Sequence, residues 1–122
     1  MSLLLCAATS FEIQPTIDFI RQHHLDNRIA VLFTGVGLVA STYTLTKQIH
    51  KLRPNLVIQA GIAGSLDQNL PLTQVVMVKS EVIGDLGVEE QNGFRDLFNL
   101  GFLQKDTSPF QQGLLINPYI KD

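Results

Sequence analysis

The stretch Ile29-Ala30-Val31-Leu32-Phe33-Thr34-Gly35-Val36-Gly37 contains the pattern that decides the fold. Its first five residues form a continuous apolar run, which is typical of a strand covered on both faces. The glycine-rich turn Thr34–Gly37 follows at once, and a helix is predicted from about Leu38 to Leu52. The buried face of that helix is expected to carry Leu38, Leu45, Ile49 and Leu52.

The same order of elements extends to both sides of this stretch. A buried strand is predicted over Ser2–Ala8, followed by a helix that ends near His24, with Pro15 tolerated in its first turn. A third buried strand is predicted over Leu56–Ala60, and the turn Gly61–Gly64 follows it. Alternating strands and helices predict an α/β fold, with a mainly parallel sheet flanked by helices.

The later part of the chain carries weaker patterns. A fourth strand is predicted over Val75–Val78, and its extension to Val82 is left open. The glycines of Gly84–Gly87 predict a flexible loop. A short helix is expected over Phe94–Leu100, and a further short strand over Gly113–Ile116.

The composition excludes several classes of function. With 45% hydrophobic and 16% charged residues, the 122-residue chain is too apolar for a disordered protein. A net charge of −2 and singly scattered lysines and arginines argue against nucleic acid or a membrane surface as a partner. No segment approaches the roughly 20 apolar residues of a membrane span. The single cysteine, Cys6, is predicted to be a buried apolar residue, and the cytoplasm is the expected location.

Three segments that can bind a ligand follow the predicted strands: Thr9–Glu12, Thr34–Gly37 and Gly61–Gly64. In parallel α/β sheets, ligands bind outside the carboxyl ends of the strands. Glycine lets the backbone approach a ligand closely, and helix N-termini offer free N–H donors. The sequence therefore predicts a small-molecule site at this edge, shaped in part by the two glycine-rich turns.

The turn after the second strand also admits two other interpretations. Gly35-Val36-Gly37-Leu38-Val39-Ala40 matches the dinucleotide-binding pattern G-x-G-x-x-A between a strand and a helix. That site also requires an acidic residue at the end of the next strand to hold the ribose, and Ile58-Gln59-Ala60-Gly61 contains none. The other interpretation is that these glycines serve only tight turns and close helix packing.

Two roles fit Glu12, the carboxylate that follows the first strand. It lies three residues after Thr9, which is the spacing of a capping box, and spacing alone favours this role. The second role is that of a general base directed at a bound water. Asp85 and Glu89-Glu90 are expected to be loop charges, with a ligand contact as the alternative. No cluster has the spacing of a metal site, and no cofactor is expected.

Taken together, these segments resemble the purine nucleoside phosphorylase and nucleosidase superfamily. The resemblance rests on Ala7-Ala8-Thr9-Ser10-Phe11-Glu12-Ile13, Thr34-Gly35-Val36-Gly37 and Asn55-Leu56-Val57-Ile58-Gln59-Ala60-Gly61-Ile62-Ala63-Gly64-Ser65, and covers residues 1–103. With Gly84-Asp85-Leu86-Gly87-Val88-Glu89, the chain looks most like the futalosine hydrolases, which release a purine base from a nucleoside intermediate of menaquinone synthesis. The methylthioadenosine/S-adenosylhomocysteine nucleosidases are the near relatives.

The resemblance implies roles for individual residues. Glu12 occupies the place of the glutamate that activates the attacking water. The turn with Thr34, Gly35 and Val36 would border the sugar and its 5′ substituent. Ile62, Ala63 and Gly64 would touch ribose and base, and Asp85 would contact the substrate from its loop. Methylthioadenosine-type enzymes commonly have serine where Ile62 stands, which favours the futalosine branch.

The charges near the predicted site favour hydrolysis over phosphorolysis. A phosphate nucleophile needs positive charge, usually arginine, beside the strand-end turns. The turns of this chain carry no lysine or arginine, whereas Glu12 follows the first strand. A carboxylate repels phosphate and suits water as the nucleophile.

The resemblance also implies that the family's later half is missing from these 122 residues. That half supplies a glutamate that holds the ribose and an aspartate that protonates the leaving purine. We therefore expect a single truncated domain over 1–122, with 1–103 as the family core and 104–122 as a loop-rich end. The chain alone is expected to be nearly inactive, and to form a homo-oligomer through the helix Leu38–Leu52, because a shortened sheet leaves apolar surface open.

Overall fold

The computed structural model describes residues 2–120, which divide into two compact units. The first unit ends at Gln68 and the second begins at Asn69. The first unit contains β1 (Leu3–Ala7), α1 (Ser10–Gln22), β2 (Ile29–Phe33), α2 (Leu38–Leu52) and β3 (Leu56–Gln59). The second unit contains β4 (Ser80–Glu81), β5 (Gly87–Glu90), β6 (Gly93–Asp96) and β7 (Leu115–Ile116).

A three-stranded parallel sheet in the order β2-β1-β3 forms the centre of the first unit. Leu3 of β1 pairs with Ile29 on one side and with Leu56 on the other. β1 is the most buried strand, and its Leu4, Cys6 and Ala7 are fully buried. The predicted α/β class, with a parallel sheet and accompanying helices, is confirmed.

Helix α1 packs on the sheet through the isoleucines that the sequence pattern placed on one face. Ile13, Ile17 and Ile20 are buried and form a cluster with Leu5 and Ala7 of β1. These two β1 residues are two positions apart and therefore lie on one face of the sheet. Burial of this apolar surface fixes α1 against β1 and β2.

The start of α1 differs from the expected regular helix. Pro15 lies inside the helix rather than in its first turn, and Ile13 has non-helical dihedral angles (φ −127°, ψ 18°). Proline lacks the N–H that would bond four residues back, so a kink in the preceding turn accommodates it. The kink separates a short first turn, which carries Glu12, from the rest of α1.

Helix α2 has the predicted bounds but not the predicted buried face. Gly37 precedes it with φ 92°, and Arg53 ends it in the left-handed region, where its N–H donates to the Ile49 carbonyl at 2.8 Å. No residue of α2 is buried, and Leu38 is 67% exposed. The expectation of a buried stripe was wrong: Leu45 is only half-buried, and Leu38, Ile49 and Leu52 are exposed, so α2 covers little of the sheet.

Two predictions for the second unit were wrong. Val75–Val78 forms no strand; within the extension to Val82 that was left open, the short β4 forms and pairs antiparallel with β7. The predicted helix over 94–100 is replaced by β6, which forms a hairpin with β5. Gly93 turns the chain there with φ 113°, a value that glycine accepts easily, so local turn geometry outweighed helix spacing.

Two other predictions for the second unit agree with the structure. The predicted short strand near the end exists as β7, and 84–86 lie outside strands and helices. The two units divide at Gln68, in a polar segment. The predicted boundary between a family core over 1–103 and a loop-rich end over 104–122 stays a prediction. Among residues 2–120, no helix combines the length and apolar character needed to cross a membrane.

Candidate functional site

The ends of the three parallel strands are joined by backbone hydrogen bonds at one edge of the sheet. Thr34 N–H donates to the Ala7 carbonyl at 2.9 Å, and Gly35 N–H donates to the Ala8 carbonyl at 3.2 Å. On the other side of β1, Ala60 N–H donates to the Cys6 carbonyl at 2.8 Å. The turns after β2 and β3 therefore flank the end of β1, as the strand order predicts.

Glu12 is anchored at this edge by Thr9. The Thr9 backbone N–H donates to Glu12 Oε2 at 2.7 Å, and the Thr9 hydroxyl donates to the same oxygen at 3.1 Å. This is the glutamate side of the predicted capping box, which is confirmed. The capping role leaves the second role open, because it engages only one of the two carboxylate oxygens.

The other oxygen of Glu12 lies beside the turn after β3. A β-carbon placed on Gly61 would stand 3.3 Å from Glu12 Oε1 and 3.7 Å from Cδ. No hydrogen-bond donor among residues 2–120 reaches Oε1. The structure thus brings together the segments after β1 and β3, with a carboxylate oxygen between them that can accept a proton.

Thr34 fixes the turn after β2. Its side chain is buried, and its hydroxyl lies 3.3 Å from the Ala7 carbonyl oxygen and 3.1 Å from the Gly35 carbonyl oxygen. Ser41 of α2 donates to the Thr34 hydroxyl at 3.3 Å. Sequence reasoning missed Ser41, although its position in the first turn of α2, facing the preceding loop, is a usable indication.

Gly35 and Gly37 are required by the shape of this turn. Their φ values of 81° and 92° lie in the region that disfavours side chains. A β-carbon on Gly35 would also lie 3.3 Å from that of Ala40. Tight turning and close helix packing, one of the interpretations of this motif, thus describe what these glycines do.

Three large apolar side chains project from the three strand-end segments into solvent. Phe11 is 91% exposed, Val36 78% and Ile62 81%. Ala63 and Gly64 are also exposed. The predicted contact residues Val36, Ile62, Ala63 and Gly64 are therefore accessible to a ligand. Phe11 was missed by sequence reasoning, although it directly precedes Glu12.

Asp85 belongs to the second unit, where it lies in a turn before β5. Its side chain is exposed, as expected for a loop charge. Its contact with a substrate stays a prediction.

The strand-end segments contain few charged residues. Glu12 is the one charged residue of the segments 9–12, 34–37 and 61–64, which contain no lysine or arginine. Within residues 2–120, no group of three or more His, Cys, Asp or Glu side chains could hold a metal ion.

Cys6 is buried inside the sheet and is not a candidate nucleophile. It is fully buried, as predicted, and its Sγ lies 3.5 Å from the Ile58 carbonyl oxygen. Burial raises the pKa of the Cys6 thiol, because desolvation disfavours the thiolate. The thiolate is the reactive form, so Cys6 is a structural residue.

A separate groove of about 400 Å³ lies between α1 and β2. Its walls include Ser10, Gln14, Arg21 and Phe33, and none of the predicted site residues lines it. The groove therefore meets the strand-end segments only at Ser10, which belongs to the segment 9–12.

A family model described as the phosphorylase superfamily matches residues 5–115. The match includes every predicted site residue. Comparisons with curated proteins and with solved structures found no significant match.

Proposed function

Because the chain belongs to the phosphorylase superfamily over residues 5–115, we propose that it carries the water-activating part of a nucleoside N-ribosyl hydrolase. The family supports a nucleoside-processing role. The observation that carries the choice of hydrolysis is the placement of Glu12, which is held through Oε2 while Oε1 has no donor among residues 2–120. Glu12 is the catalytic base in this proposal.

The chemistry follows from the charge of the carboxylate. As the bond between the anomeric carbon and the purine nitrogen breaks, positive charge develops on the ribose. Water attacks the anomeric carbon, and Glu12 accepts a proton from that water. The departing purine takes the bonding electron pair and must itself be protonated. A negative group beside the sugar also stabilises the developing cation.

The turns supply the surface for the nucleoside. In this proposal, Thr34 and Gly35 shape the wall next to the sugar, and Val36 contacts the 5′ substituent. Ile62, Ala63 and Gly64 contact ribose and base, and Asp85 is proposed as a further substrate contact. The exposure of Val36 and Ile62 supports these contacts, since neither side chain is used in packing.

The proposed substrate is futalosine, with hypoxanthine as the released base. Ile62 supports this choice over methylthioadenosine, because serine is common there in methylthioadenosine-type enzymes. The absence of lysine and arginine from the three segments supports water over phosphate as the nucleophile. A cytoplasmic location and a homo-oligomeric state accompany the proposal.

We assign no general acid within residues 2–120, and so the 122-residue chain is proposed to be nearly inactive alone. Loss of a general acid lowers the rate by about 10²- to 10⁴-fold. A partner half from a family member should restore the rate if it supplies the acid.

The test compares the 122-residue chain with the same chain fused to the carboxy-terminal half of a family member. Hypoxanthine release from futalosine is measured with and without phosphate, for Glu12 and for Glu12→Gln. We expect the fused enzyme to work without phosphate and to lose at least about 10²-fold in rate with Glu12→Gln. Equal rates for the two forms would remove Glu12 from the mechanism, and a requirement for phosphate would reverse the choice of nucleophile.

Calorimetry with the 122-residue chain separates the alternatives. Nucleoside binding without turnover in either protein would indicate a noncatalytic binding module. Binding of NAD in place of nucleosides would support the dinucleotide interpretation. An enzyme-like rate from the 122-residue chain alone would contradict its proposed inactivity.

A further inference from the structure

Glu12 uses its two carboxylate oxygens differently. Oε2 receives both donors of Thr9, the backbone N–H at 2.7 Å and the hydroxyl at 3.1 Å. An oxygen that accepts two hydrogen bonds has little lone-pair capacity left for a water molecule. Oε1 has no donor among residues 2–120, and it is the oxygen on the side of the turn after β3.

Gly61 decides how much space exists at Oε1. Its own φ lies outside the left-handed region, so the backbone does not require glycine there. A β-carbon at this position would nevertheless stand 3.3 Å from Oε1, closer than most carbon contacts of that kind. The absence of a side chain at Gly61 therefore leaves space beside the Glu12 carboxylate, and the turn itself does not require glycine there.

We infer that Gly61 is a positioning residue that keeps room for the attacking water at Oε1 of Glu12, while Thr9 holds Oε2. The inference rests on the proposed hydrolase function. A water at hydrogen-bond distance from Oε1 lies on the side of the turn whose residues contact the ribose in that proposal. A methyl group on Gly61 removes part of this space without touching Thr9, so it separates the holding of Glu12 from the holding of water.

The first experiment does not depend on turnover. Crystal structures of the 122-residue chain are compared for the wild type, Gly61→Ala and the control Gly84→Ala, whose added carbon meets no atom within 4 Å. We expect an ordered water within hydrogen-bond distance of Oε1 in the wild type and in Gly84→Ala, and none in Gly61→Ala. A wild-type Oε1 without water, or a water retained in Gly61→Ala, would overturn the inference.

The second experiment measures rates in the fused enzyme described above. Gly61→Ala should lower kcat by about 10²-fold, because a small displacement of the nucleophile has effects of that size, and should leave KM nearly unchanged. In a Glu12→Gln background the same change should have no further effect, which a purely structural role for Gly61 would not produce. Additive losses, or an unchanged kcat, would contradict the inference.

Gly61→Ser guards against a variant that does not fold. Its hydroxyl can take the place of the water and donate to Oε1, so we expect wild-type stability with the same loss of kcat. A Gly61→Ser enzyme with wild-type kcat would overturn the inference. If the wild-type fused enzyme shows no turnover, the proposed function fails, and the crystal structures still decide whether Gly61 keeps a water at Oε1.

Discussion

Thr34 connects the ends of two strands through its backbone and its side chain. Its N–H bonds to Ala7, and its buried hydroxyl contacts the carbonyl oxygens of Ala7 and Gly35. Thr34→Val keeps the shape and removes the hydroxyl. We expect the free energy of unfolding to fall by about 1 kcal/mol, the usual net value of a buried hydrogen bond.

Urea denaturation measures this change. Thr42→Val, on the exposed side of α2, is the matched control, and it should alter the free energy of unfolding by less than about 0.5 kcal/mol. Equal effects of the two substitutions would show that the Thr34 hydroxyl does not stabilise the turn.

Cys6 makes the stability depend on alkaline pH. Burial raises the pKa of its thiol in the folded state, so folding favours the protonated form. This contribution is fully present below the unfolded-state pKa of about 8.5 and is lost as the pH rises through the folded-state value. We expect the free energy of unfolding to decrease once the pH exceeds about 8.5, by up to about 1.4 kcal/mol per pH unit from this group, until the folded-state thiol also ionises.

Cys6→Ala isolates this effect, because all other titrating groups remain. Denaturation of both proteins between pH 7 and pH 10 should give a smaller alkaline loss for Cys6→Ala, at the temperature where both are folded at neutral pH. Parallel pH profiles for the two proteins would contradict the prediction.

At the residue scale, spacing alone predicted the capping box of Thr9 and Glu12. It did not predict that Glu12 Oε1 lies beside Gly61. The interval from Thr9 to Glu12 is local information, so the sequence contains it. The position of Gly61 beside Oε1 depends on β3 pairing with β1, which brings together residues far apart in the chain. The contact of Ser41 with Thr34 likewise depends on how α2 starts.

At the element scale, the two helices of the first unit stabilise it unequally. Ile20 of α1 is 3% exposed and Ile49 of α2 is 37% exposed. Ile20→Ala should lower the free energy of unfolding by about 2–5 kcal/mol, as in other buried large-to-small substitutions. Ile49→Ala should lower it by about 1 kcal/mol, because much of its side chain already meets water.

Thermal or urea denaturation of the two alanine variants provides the comparison, and each is the control for the other. Similar losses would mean that α2 packs as tightly as α1. A larger loss for Ile49→Ala would reverse the assignment of the core to α1.

The hairpin β5–β6 depends on Gly87. A β-carbon there would overlap the backbone carbonyl of Arg95 and stand 2.6 Å from the Phe94 ring. Backbone cannot move aside as a flexible side chain can, so Gly87→Ala should open the hairpin. We expect faster amide hydrogen exchange over Gly87–Asp96, by at least about 10-fold, as local stability falls.

Gly84→Ala is the matched control for the hairpin, since its added carbon meets no atom within 4 Å. Its exchange rates over Gly87–Asp96 should equal those of the wild type. Unchanged exchange in Gly87→Ala would contradict the need for glycine at that position.

The elements of the first unit were predictable because each strand is a continuous apolar run closed by a turn. Ile29–Phe33 and Leu38–Leu52 match the structure residue for residue. In the second unit the same reasoning failed at Val75–Val78, where an apolar run has no neighbouring strand. An apolar run shows a tendency toward strand, but pairing decides whether a strand forms.

At the scale of the whole molecule, α2 presents apolar surface that the first unit does not cover. Exposed side chains on this helix include Leu38, Val39, Tyr43, Ile49 and Leu52. We predict that a second copy of the chain covers this surface, because an apolar helix face favours self-association. Light scattering at micromolar concentration should give the mass of a dimer or a larger oligomer.

Val39→Glu tests the surface, because Val39 is 86% exposed and we expect its replacement to leave the fold intact. It should shift the protein toward monomer. Gln22→Glu adds the same charge on α1, where the residue is exposed, and should leave the mass unchanged. A wild-type monomer, or equal shifts in both variants, would contradict association through α2.

The sequence predicted the superfamily and the α/β class of the chain, since both rest on the order of strand ends and glycine turns. The family match over residues 5–115 confirms the superfamily. The choice of nucleoside stays a proposal, because specificity depends on side chains around the whole ligand. Glu12 and the turns form one side of the proposed site.

The central position of β1 has a consequence for synthesis on the ribosome. β1 is synthesised before both of its partners, β2 and β3. Parallel strands cannot pair through a tight turn, so each pairing waits for a complete crossover to leave the exit tunnel. The backbone N–H and C=O groups along one edge of β1 therefore stay unpaired until β3 appears, and chaperone binding would protect this apolar strand most during that interval.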